Sequence, residues 1–489
     1  MTVLEYLREH NVNIAAPCGG NGTCKKCMVS VDGGAPLLAC RTEYVSGMDI
    51  KVLSSSDDIA ILGTDGIEKA EDRPDSGRYG IAVDIGTTTI AGVICDRGSG
   101  KILGEDSCIN SNVSFGADVI SRIKAGGEGK GEIMRDNLLG DIRTIVLKLY
   151  NKVITGDTDD RSKEKTFDII ALAGNTTMIH TLMGYDLSSL GVYPYKPVFI
   201  GLIQGKTGDI LNIKTNGIES SQCVIFPGAS AFVGGDIIAG LYYLETRKDN
   251  ERYALIDLGT NGEMAIVTPD TIYAASTAAG PVFEGGEISC GTGAVPGAID
   301  HVRMDEHGNS SYTTIGDIPT VKGICGSGII DVASVMLETG ACNEHGTYTG
   351  EEAYTIARYP DRSKVLFTQE DMRKLQLAKA AIAAGFETLC HVAGTPYDDI
   401  GRLYLAGGMG YAIDIDSAMS IRLVPPELYG RIYAAGNTVL LGLLRYICST
   451  DPDPVREISG ISDRCRVVDL SAQPDFQEAY IAHMDLIPV

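Results

Sequence analysis

Short apolar runs alternate with polar turns along most of the chain, and two longer stretches have helical periodicity. Residues 81–83 and 90–94 have the apolar content of strands, and the turn between them reads Asp-Ile-Gly-Thr-Thr-Thr. Residues 253–267 repeat the layout of apolar strand, aspartate, Gly-Thr turn and returning strand at a domain-scale distance. Residues 133–153 and 371–389 carry apolar side chains at the spacing of core-facing helices. The pattern therefore predicts an α/β protein with two related half-domains.

The first of these turns has the chemistry of a phosphate site. Gly86 can adopt a positive φ and lets a ligand approach the backbone, while Thr87 and Thr88 add hydroxyl groups to the N–H groups of the turn. Asp84, at the end of the strand, is placed to hold Mg²⁺ through water. One such turn alone would equally be an ordinary tight hairpin. The second copy, with Asp257, argues against that alternative and predicts two hairpins that face one nucleotide.

The second turn supplies Gly259, Thr260 and Asn261 as further phosphate-binding candidates. A third stretch, residues 403–410, is an apolar strand that leads into Gly407 and Gly408, where paired glycines let an adenosine lie against the backbone. This triplet, in this order, resembles the superfamily of acetate and sugar kinases, heat-shock chaperones and actin. Gly326 and Ser327, which begin a helix of small residues, are added as nucleotide-binding candidates. Two more glycine turns, at 174–178 and 234–236, leave functional and structural roles equally open.

Four of the thirteen cysteines cluster near the N-terminus, as Cys18-x5-Cys24-x2-Cys27-x12-Cys40. Three thiolates in a glycine-rich loop and a fourth on a later strand meet the needs of a [2Fe–2S] cluster. A zinc ribbon would bring a second C-x2-C pair, which the sequence does not have, and disulfides are disfavoured in a reducing compartment. Thr2 and Glu5 predict a capping box for a short helix, and residues 28–31 and 36–39 predict a hairpin.

This module resembles plant-type and adrenodoxin-type [2Fe–2S] ferredoxins, with departures. That family begins with a hairpin before the helix, whereas this chain begins at the helix, and the segment between Cys27 and Cys40 is short. Lys25 also replaces a glycine of the cluster loop. The cluster is therefore expected to be exposed, or covered by another domain or subunit, and a homodimer is one assembly open to the chain.

The amino-acid composition limits the possible classes of binding partner and the possible cellular location. The 489 residues carry a formal net charge of −23, which disfavours nucleic acid and anionic membranes as partners. No apolar run is long enough to span a bilayer, and the first residues do not read as a signal peptide. The expected location is the cytoplasm.

The expected organisation has five parts, and the fold class is α/β. A small α+β [2Fe–2S] ferredoxin-like module precedes a two-lobed, ribonuclease-H-like domain of the actin-like ATPase type. The linker between them is acidic, and a loop packed against the next domain is its alternative reading. The expected bounds are 1–53 for the truncated ferredoxin-like domain, 54–78 for the linker, 79–250 and 251–448 for the two ATPase-like half-domains, and 449–489 for a C-terminal tail.

The fused layout resembles one family closely, the reductive activators of corrinoid proteins. The matching stretches are CGGNGTCKKC, LACRT, VDIGTTT, AGNTTM, FVGGDIIAGL, LIDLGTNGEM, AAGPVFEGG, GICGSGIIDV, DMRKLQLAKAAI, LAGGMG and AAGNTVLLG. The resemblance implies that a low-potential donor reduces the cluster, and that the electron passes to Co(II) of a corrinoid protein to regenerate Co(I) for methyl transfer. ATP, bound with Mg²⁺ and hydrolysed slowly, makes this unfavourable step possible. Asp84 and Asp257 would organise Mg²⁺ and the attacking water, with Asp257 as the base.

Three other functions remain open from the sequence. One is an ATP-dependent electron donor to another low-potential enzyme, like the activators of 2-hydroxyacyl-CoA dehydratases, although those carry a [4Fe–4S] cluster between subunits. Another is a sensor whose redox state and nucleotide gate binding to a partner. The third is a small-molecule kinase, against which the ferredoxin argues, because phosphorylation needs no electron.

Overall fold

The N-terminal module combines one helix with a small sheet. A computed structural model of the chain describes residues 1–10, 12, 14, 27–32, 34, 37–52, 76–155, 165–215, 217–245, 252–304, 310–350, 352–360, 363–407 and 412–487. The module's elements are α1 (Val3–Glu9), β1 (Met28–Val31), β2 (Leu37–Leu38) and β3 (Ile50–Val52), and both outer strands pair antiparallel with β1. The predicted capping box is confirmed, because the Thr2 N–H donates to Glu5 Oε2 at 2.7 Å and the Glu5 N–H donates to Thr2 Oγ1 at 3.2 Å. The hairpin is also confirmed, although its second strand is shorter than expected.

The first half-domain is built on a six-stranded sheet. Its strands are β4 (Arg78–Ile85), β5 (Thr89–Asp96), β6 (Ile102–Ile109), β7 (Thr166–Gly174), β8 (Ile203–Lys206) and β9 (Gln222–Ile225), in the order β6-β5-β4-β7-β9-β8. Its helices are α2 (Val119–Ala125), α3 (Gly131–Thr155), α4 (Thr176–Met183), α5 (Thr207–Ile210) and α6 (Gly235–Leu244). The strands and the long helix expected from the sequence are confirmed here.

The second half-domain is built on another six-stranded sheet, with the order β19-β18-β10-β11-β12-β20. The strands of this half are β10 (Tyr253–Leu258), β11 (Gly262–Val267), β12 (Ile272–Thr277), β13 (Ala298–Met304), β14 (Ser310–Thr314), β15 (Gly323–Ile324), β16 (Ala353–Arg358), β17 (Lys364–Thr368), β18 (Arg402–Ala406), β19 (Ile432–Gly436) and β20 (Cys465–Val467). The helices are α7 (Gly326–Glu338), α8 (Gln369–Ala393), α9 (Ile415–Ser420), α10 (Thr438–Ile447), α11 (Pro454–Arg464) and α12 (Phe476–Ala482). The helix expected at 371–389 is α8, which begins with a capping box at Thr368.

Five strands of the two large sheets share one topology. In each, three antiparallel strands (β4-β5-β6 and β10-β11-β12) are followed by two strands that run parallel to the first (β7 and β9, β18 and β19). This repeat confirms the two-lobed, ribonuclease-H-like architecture that the paired hairpins predict. It also places the carboxyl ends of equivalent strands at equivalent points of the two lobes.

The layers of the molecule alternate between helices and sheets. Helix α3 covers the outer face of the first sheet, α8 covers the outer face of the second, and α7 packs on β13 beside it in the same core. Between the sheets lie α6 and α10, whose apolar side chains share one core with both sheets. Because α10 follows β19 of the second sheet yet packs on β4 and β7 of the first, the chain crosses between lobes at this helix.

The residues after 448 are integrated into this architecture. β20 pairs in parallel with β12 at the edge of the second sheet, α11 packs against α6, and α12 packs against α8. β20 therefore extends the second sheet, although the sequence predicted a tail for residues 449–489. No helix in the described parts of the chain is both long and apolar enough to cross a membrane.

Candidate functional site

The two predicted aspartates lie at matching ends of the two sheets. Asp84 in β4 stands beside Ala173 in the parallel strand β7, and Asp257 in β10 stands beside Ala406 in the parallel strand β18. Each carboxylate thus lies at the carboxyl end of a central strand, next to the glycine turn that follows the neighbouring strand. Ligands of open α/β sheets bind at such strand ends.

The turns of the two hairpins meet in one cleft. Thr88 Oγ1 and Thr260 Oγ1 are 3.2 Å apart, although their residues belong to different lobes. Both hydroxyls donate to Glu284 Oε2, at 2.6 Å from Thr88 and 3.0 Å from Thr260. Glu284 ends a short helical turn, Pro281–Glu284, in the glycine-rich segment of the second half-domain. The structure therefore brings the two predicted phosphate-binding turns together on a shared carboxylate.

The first turn is held from behind through its carbonyl groups. Asn110 Nδ2 donates to the Gly86 carbonyl at 2.9 Å, and the Asn110 N–H donates to the Thr88 carbonyl at 2.9 Å. The guanidinium of the buried Arg122 donates to the Thr87 carbonyl that lies between them. Since the N–H of a trans peptide points opposite to its C=O, the N–H groups of Thr87 and Thr88 face away from these donors. Successive outward N–H groups make an anion-binding concavity.

The remaining predicted residues have varied surroundings. The Thr87 hydroxyl accepts a hydrogen bond from Asn175 Nδ2 at 2.9 Å, so the turn at 174–178 supports the first hairpin as well as capping α4. In the second hairpin, the Gly259 N–H donates to the Asn261 carbonyl at 3.0 Å, so this turn is closed on itself. Ser327 is buried and donates to the Asp300 carbonyl at 2.8 Å, a bond that ties α7 to β13.

Gly407 needs to be glycine for a steric reason. Its φ is +99°, and an added Cβ would lie 2.6 Å from the Leu258 carbonyl oxygen and 2.7 Å from Asp257 Oδ1. Any side chain at this position would therefore displace the predicted base. Gly326 begins α7, which packs against the turn that carries Glu284. Gly408, Cys18 and Cys24 lie outside the described residues.

Burial and mutual repulsion raise the pKa values of the cleft carboxyl groups. Burial raises the pKa of Asp84 to about 7, with a further increase from Asp236, while the hydrogen bond from Asn437 Nδ2, 2.9 Å long, works against it. Burial, followed by the charges of Asp236, Asp84 and Glu284, raises the pKa of Asp257 to about 8. These carboxyl groups cannot all be ionised together without a large repulsive energy. The cleft therefore favours binding of a cation or protonation of one of the carboxylates.

Two further acids of the cleft were not predicted as site residues. Burial raises the pKa of Asp236 to about 6, although hydrogen bonds from backbone N–H groups lower it in part. Burial, followed by the charges of Asp236 and Asp257, raises the pKa of Glu263 well above its usual range. Asp236 follows the glycine pair at 234–235, whose role the sequence left open. The backbone there is packed tightly, because a Cβ on Gly234 would lie 2.5 Å from the Asn175 Cα.

Glu284 and Asn437 were also missed as site residues. Asn437 caps α10 and reaches Asp84 from a position 353 residues away in the chain. A partial signal for it exists in retrospect, because residues 436–443 (GNTVLLGL) and 234–241 (GGDIIAGL) share their glycines and apolar positions at the starts of the two inner helices. No comparable periodicity marks Glu284, which lies in an irregular glycine-rich segment.

The carboxylates of the cleft suit a magnesium ion that is shared with a nucleotide. Within the described ranges, no three His, Cys, Asp or Glu side chains converge closely enough to hold a metal ion by themselves. Mg²⁺ in nucleotide sites uses one or two carboxylates plus phosphate oxygens and water, so the aspartates of this cleft fit that role.

The described iron-ligand candidates are Cys27 and Cys40, which are buried and not in a disulfide. The Ala39 N–H donates to the Cys27 carbonyl at 2.7 Å, which places both cysteines at one end of the β1–β2 pair. Two buried thiols at adjoining strand ends fit half of a four-thiolate cluster site.

Comparison with known proteins gives concordant matches. The family model of the RACo middle region matches residues 79–249, and that of the C-terminal domain of RACo, described as the ASKHA domain, matches residues 251–488. Corrinoid activation enzyme RamQ of Eubacterium limosum is 31% identical over 428 residues, which cover 82% of this chain and 69% of that protein. The [Co(II) methylated amine-specific corrinoid protein] reductase of Methanosarcina barkeri is 22% identical over 400 residues, covering 74% and 68%. The solved structure of a reductive activator for a corrinoid, iron-sulfur protein superposes with a TM-score of 0.75 and 26% identity, covering 100% of this chain and 96% of that one.

Proposed function

The chain belongs to the RACo family, and from this premise we propose that it is an ATP-dependent reductive activator of a corrinoid protein. In the reaction, Co(II) of the partner gains one electron and becomes Co(I), while ATP and water become ADP and phosphate. The relatives named as a corrinoid activation enzyme and as a Co(II) corrinoid protein reductase support the substrate class. A corrinoid protein of a methyltransferase system and a low-potential electron donor are the partners that this reaction requires.

One observation carries the ATP-dependent part of the proposal. The hairpin turns of two topologically equivalent lobes meet at Thr88 and Thr260, whose hydroxyl oxygens are 3.2 Å apart, beside the strand-end Asp84 and Asp257. Phosphates that enter between these turns would contact both lobes at once. A nucleotide that bridges two lobes favours the arrangement in which both contacts are made, so it can shift the population of lobe closures.

The residues of the cleft take distinct roles in this proposal. The outward N–H groups of Thr87 and Thr88 and the turn at Gly259, Thr260 and Asn261 would bind phosphates, and Gly407 with Gly408 would face the adenosine. Asp84, oriented by Asn437, would hold Mg²⁺ through water. Asp257, whose pKa burial and neighbouring acids raise to about 8, would accept the proton of the attacking water.

The N-terminal module would supply the electron path. Cys18, Cys24, Cys27 and Cys40 would hold a [2Fe–2S] cluster, which supplies a one-electron carrier of low potential when bound. Cys27 and Cys40 are buried beside Val29 and Ala39 in the small core of the module. This packing fixes the positions of two thiolates and keeps them out of water.

The experiment that tests the proposal is an activation assay without oxygen. The protein, loaded with iron and sulfide and then reduced with dithionite, is mixed with a corrinoid protein in the Co(II) state, and the Co(I) absorption is followed with and without MgATP. We expect Co(I) to form only when MgATP is present, and the rate to fall at least about 100-fold in Asp257→Asn. Cys27→Ser is expected to abolish Co(I) formation while ATP hydrolysis continues. Equal Co(I) formation with and without MgATP would contradict the role of ATP, and an unchanged rate in Asp257→Asn would contradict the role of Asp257.

A further inference from the structure

Two thiols from different lobes meet at the end of the inner helix α10 that lies away from the nucleotide cleft. Cys95 is near the end of β5 in the first sheet, and Cys448 is the residue that ends α10. Their Sγ atoms are 3.8 Å apart, although the residues are 353 positions apart in the chain. Neither belongs to the cysteine cluster at the N-terminus, and neither takes part in the proposed reaction.

The approach of these two thiols is fixed by contacts on both sides. Residue 80, which pairs with Cys95 across the β4–β5 ladder, is a glycine, and a Cβ there would lie 2.3 Å from Ile447 Cγ2. Arg97, two residues after Cys95, donates from Nε to the Ile447 carbonyl at 2.9 Å. The missing side chain and the hydrogen bond together seat the end of α10 against β4 and β5. The residue that follows Ile447 is therefore held next to Cys95.

The pair also has an accessible member and a protected one. Cys448 is partly exposed, whereas Cys95 is fully buried. The contact with Cys95, helped by the charge of Arg97, lowers the pKa of the Cys448 thiol against the effect of burial. A partly exposed thiol is reached by an oxidant before a buried one, and a buried thiol in contact with it is a resolving partner.

We propose that Cys95 and Cys448 are an oxidation site that forms a reversible disulfide between the two lobes. The oxidant is hydrogen peroxide, which reduced low-potential centres generate from oxygen. The Cys448 thiolate attacks one peroxide oxygen, the O–O bond breaks, and Cys448 becomes a sulfenic acid with release of hydroxide, which takes up the thiol proton as water. The Cys95 sulfur then attacks the sulfenic sulfur and expels a second water. In sum, two thiols and one peroxide give one disulfide and two waters.

The consequence follows from the position of α10. This helix continues from β19 of the second lobe, packs on the first sheet, and begins at Asn437, which donates to Asp84 in the cleft. Its ten residues span about 15 Å, so the thiol pair and the cleft lie at opposite ends of one rigid element. A disulfide at Cys448 ties α10 to β5 and restrains any movement of this helix during lobe closure. The effect on ATP turnover rests on the proposed function, whereas formation of the disulfide does not.

The test uses the full chain with its cluster, purified without oxygen and treated with a small molar excess of hydrogen peroxide. Free thiols are then alkylated, and the digest is searched by mass spectrometry for a peptide that joins residues 95 and 448. MgATP hydrolysis is measured before oxidation, after it, and after dithiothreitol. We expect the joined peptide to form, ATP hydrolysis to fall by about fivefold or more, and dithiothreitol to reverse both changes.

Variants separate this site from general oxidation damage. Cys448→Ser keeps the size of the side chain and is expected to lack the joined peptide and to keep its ATP hydrolysis after peroxide. Cys108→Ser, which removes a partly exposed thiol from the neighbouring strand β6, is the matched control and should respond like the unmodified protein. The visible spectrum of the cluster, recorded in parallel, reports cluster loss. Absence of the 95–448 peptide overturns the oxidation site, and an equal loss of hydrolysis in Cys448→Ser with the cluster intact overturns its effect on ATP turnover. If the reduced protein hydrolyses no ATP, the proposed function fails, and the joined peptide alone decides whether the oxidation site exists.

Discussion

At the residue scale, the first hairpin shows how a short turn acquires a function. The three carbonyl groups at Gly86, Thr87 and Thr88 are all occupied by donors from the body of the lobe, Asn110 and Arg122. These donors do not face the cleft themselves, so they act as positioning residues. Arg122 also brings a buried positive charge to within reach of the cleft, although burial lowers its pKa to about 10.

Replacing Arg122 by lysine tests this positioning role. Arg122→Lys keeps the charge but loses the planar fork, which donates to both the Thr87 and the Gly116 carbonyl. We expect the dissociation constant for MgATP to rise about 10-fold. The hydrogen bond to the Thr87 carbonyl orients the Thr88 N–H, and its loss should cost roughly 1–2 kcal/mol of binding free energy. Titration calorimetry measures the binding, and thermal unfolding checks the fold.

Arg143→Lys is the matched control for this variant. Arg143 also donates from its guanidinium to a backbone carbonyl in the same lobe, that of Leu211 at 2.6 Å, but on α3 rather than at the hairpin. Its replacement should leave nucleotide affinity unchanged. Equal losses of affinity in the two variants would mean that Arg122 only supports the general stability of the lobe.

At the element scale, the inner helices α6 and α10 determine how closely the two lobes approach. Each carries a glycine four residues after the Asp236 or Thr438 of its first turn, and the helices cross at these glycines. A Cβ on Gly240 would lie 2.8 Å from Thr438 Oγ1, and a Cβ on Gly442 would lie 2.0 Å from the Ala239 carbonyl oxygen. The crossing therefore depends on backbone-to-backbone contact.

Gly442→Ala is expected to destabilise the protein despite the better helix propensity of alanine. The added methyl group meets a backbone carbonyl that cannot move without shifting α6, and overpacking of this kind costs about 1–3 kcal/mol. Gly140→Ala is the matched control, because Gly140 lies inside α3 with no atom within 4 Å of an added Cβ. That change should stabilise the protein by about 0.5–1 kcal/mol. Urea unfolding measures both, and a Gly442→Ala variant as stable as Gly140→Ala would rule out the close crossing.

The elements that could be predicted from the sequence are those that depend on local patterns. The two hairpins, α3, α8 and the capping box at Thr2 depend on local patterns of apolar and capping residues, and the structure confirms them. Their repeat also predicted the two-lobed fold and two hairpin turns on one cleft, whereas the contact of Thr88 with Thr260 is known only from the structure. By contrast, Asn437 reaches Asp84 only because α10 crosses to the first lobe, and no local pattern encodes that crossing.

Glu284 was missed for a different physical reason. It ends a single helical turn that is too short to show a helical period in the sequence, and its partners come from two separate hairpins. The sequence pointed to the glycine turn that contains Asp236 but left the role of that turn open. The proximity of Asp236 to Asp84 and Asp257 follows from the packing of α6 between the sheets. Candidate site residues could thus be predicted where they belong to a local sequence pattern. Their convergence in space could not be predicted where it depends on the packing of the helices.

At the scale of the whole molecule, the cleft concentrates negative charge in a chain that is already acidic, with a net charge of −23. Asp84, Asp236, Asp257 and Glu263 all have raised pKa values, with burial as the largest cause. The two lobes therefore hold opposing carboxylates together, and their packing through α6 and α10 offsets that repulsion. A bound cation would relieve it directly.

This arrangement predicts how stability depends on pH. Because the pKa values of Asp84 and Asp257 are raised to about 7 and about 8, from about 4 in an unfolded chain, the folded protein holds more protons between pH 4 and 8. The free energy of unfolding should consequently fall as the pH rises through this window, by about 2 kcal/mol between pH 6 and 8, since the partial exposure of both side chains reduces the full effect. Mg²⁺ with ADP favours the ionised carboxylates, so its stabilising effect should grow with pH over the same range.

Urea unfolding at pH 6 and 8, with and without MgADP, measures this dependence. Asp257→Asn removes an acid of the cleft whose pKa is raised to about 8. This variant is expected to lose less unfolding free energy between pH 6 and 8 than the unmodified protein. Asp136→Asn, on the exposed face of α3, is the matched control and should keep the slope of the unmodified protein. If Asp257→Asn kept that slope as well, ionisation of the cleft could not be its source, and the lobes would have to tolerate their facing carboxylates without a cation. The difference between the slopes with and without MgADP therefore measures how far a bound cation relieves the repulsion between the carboxylates of the two lobes.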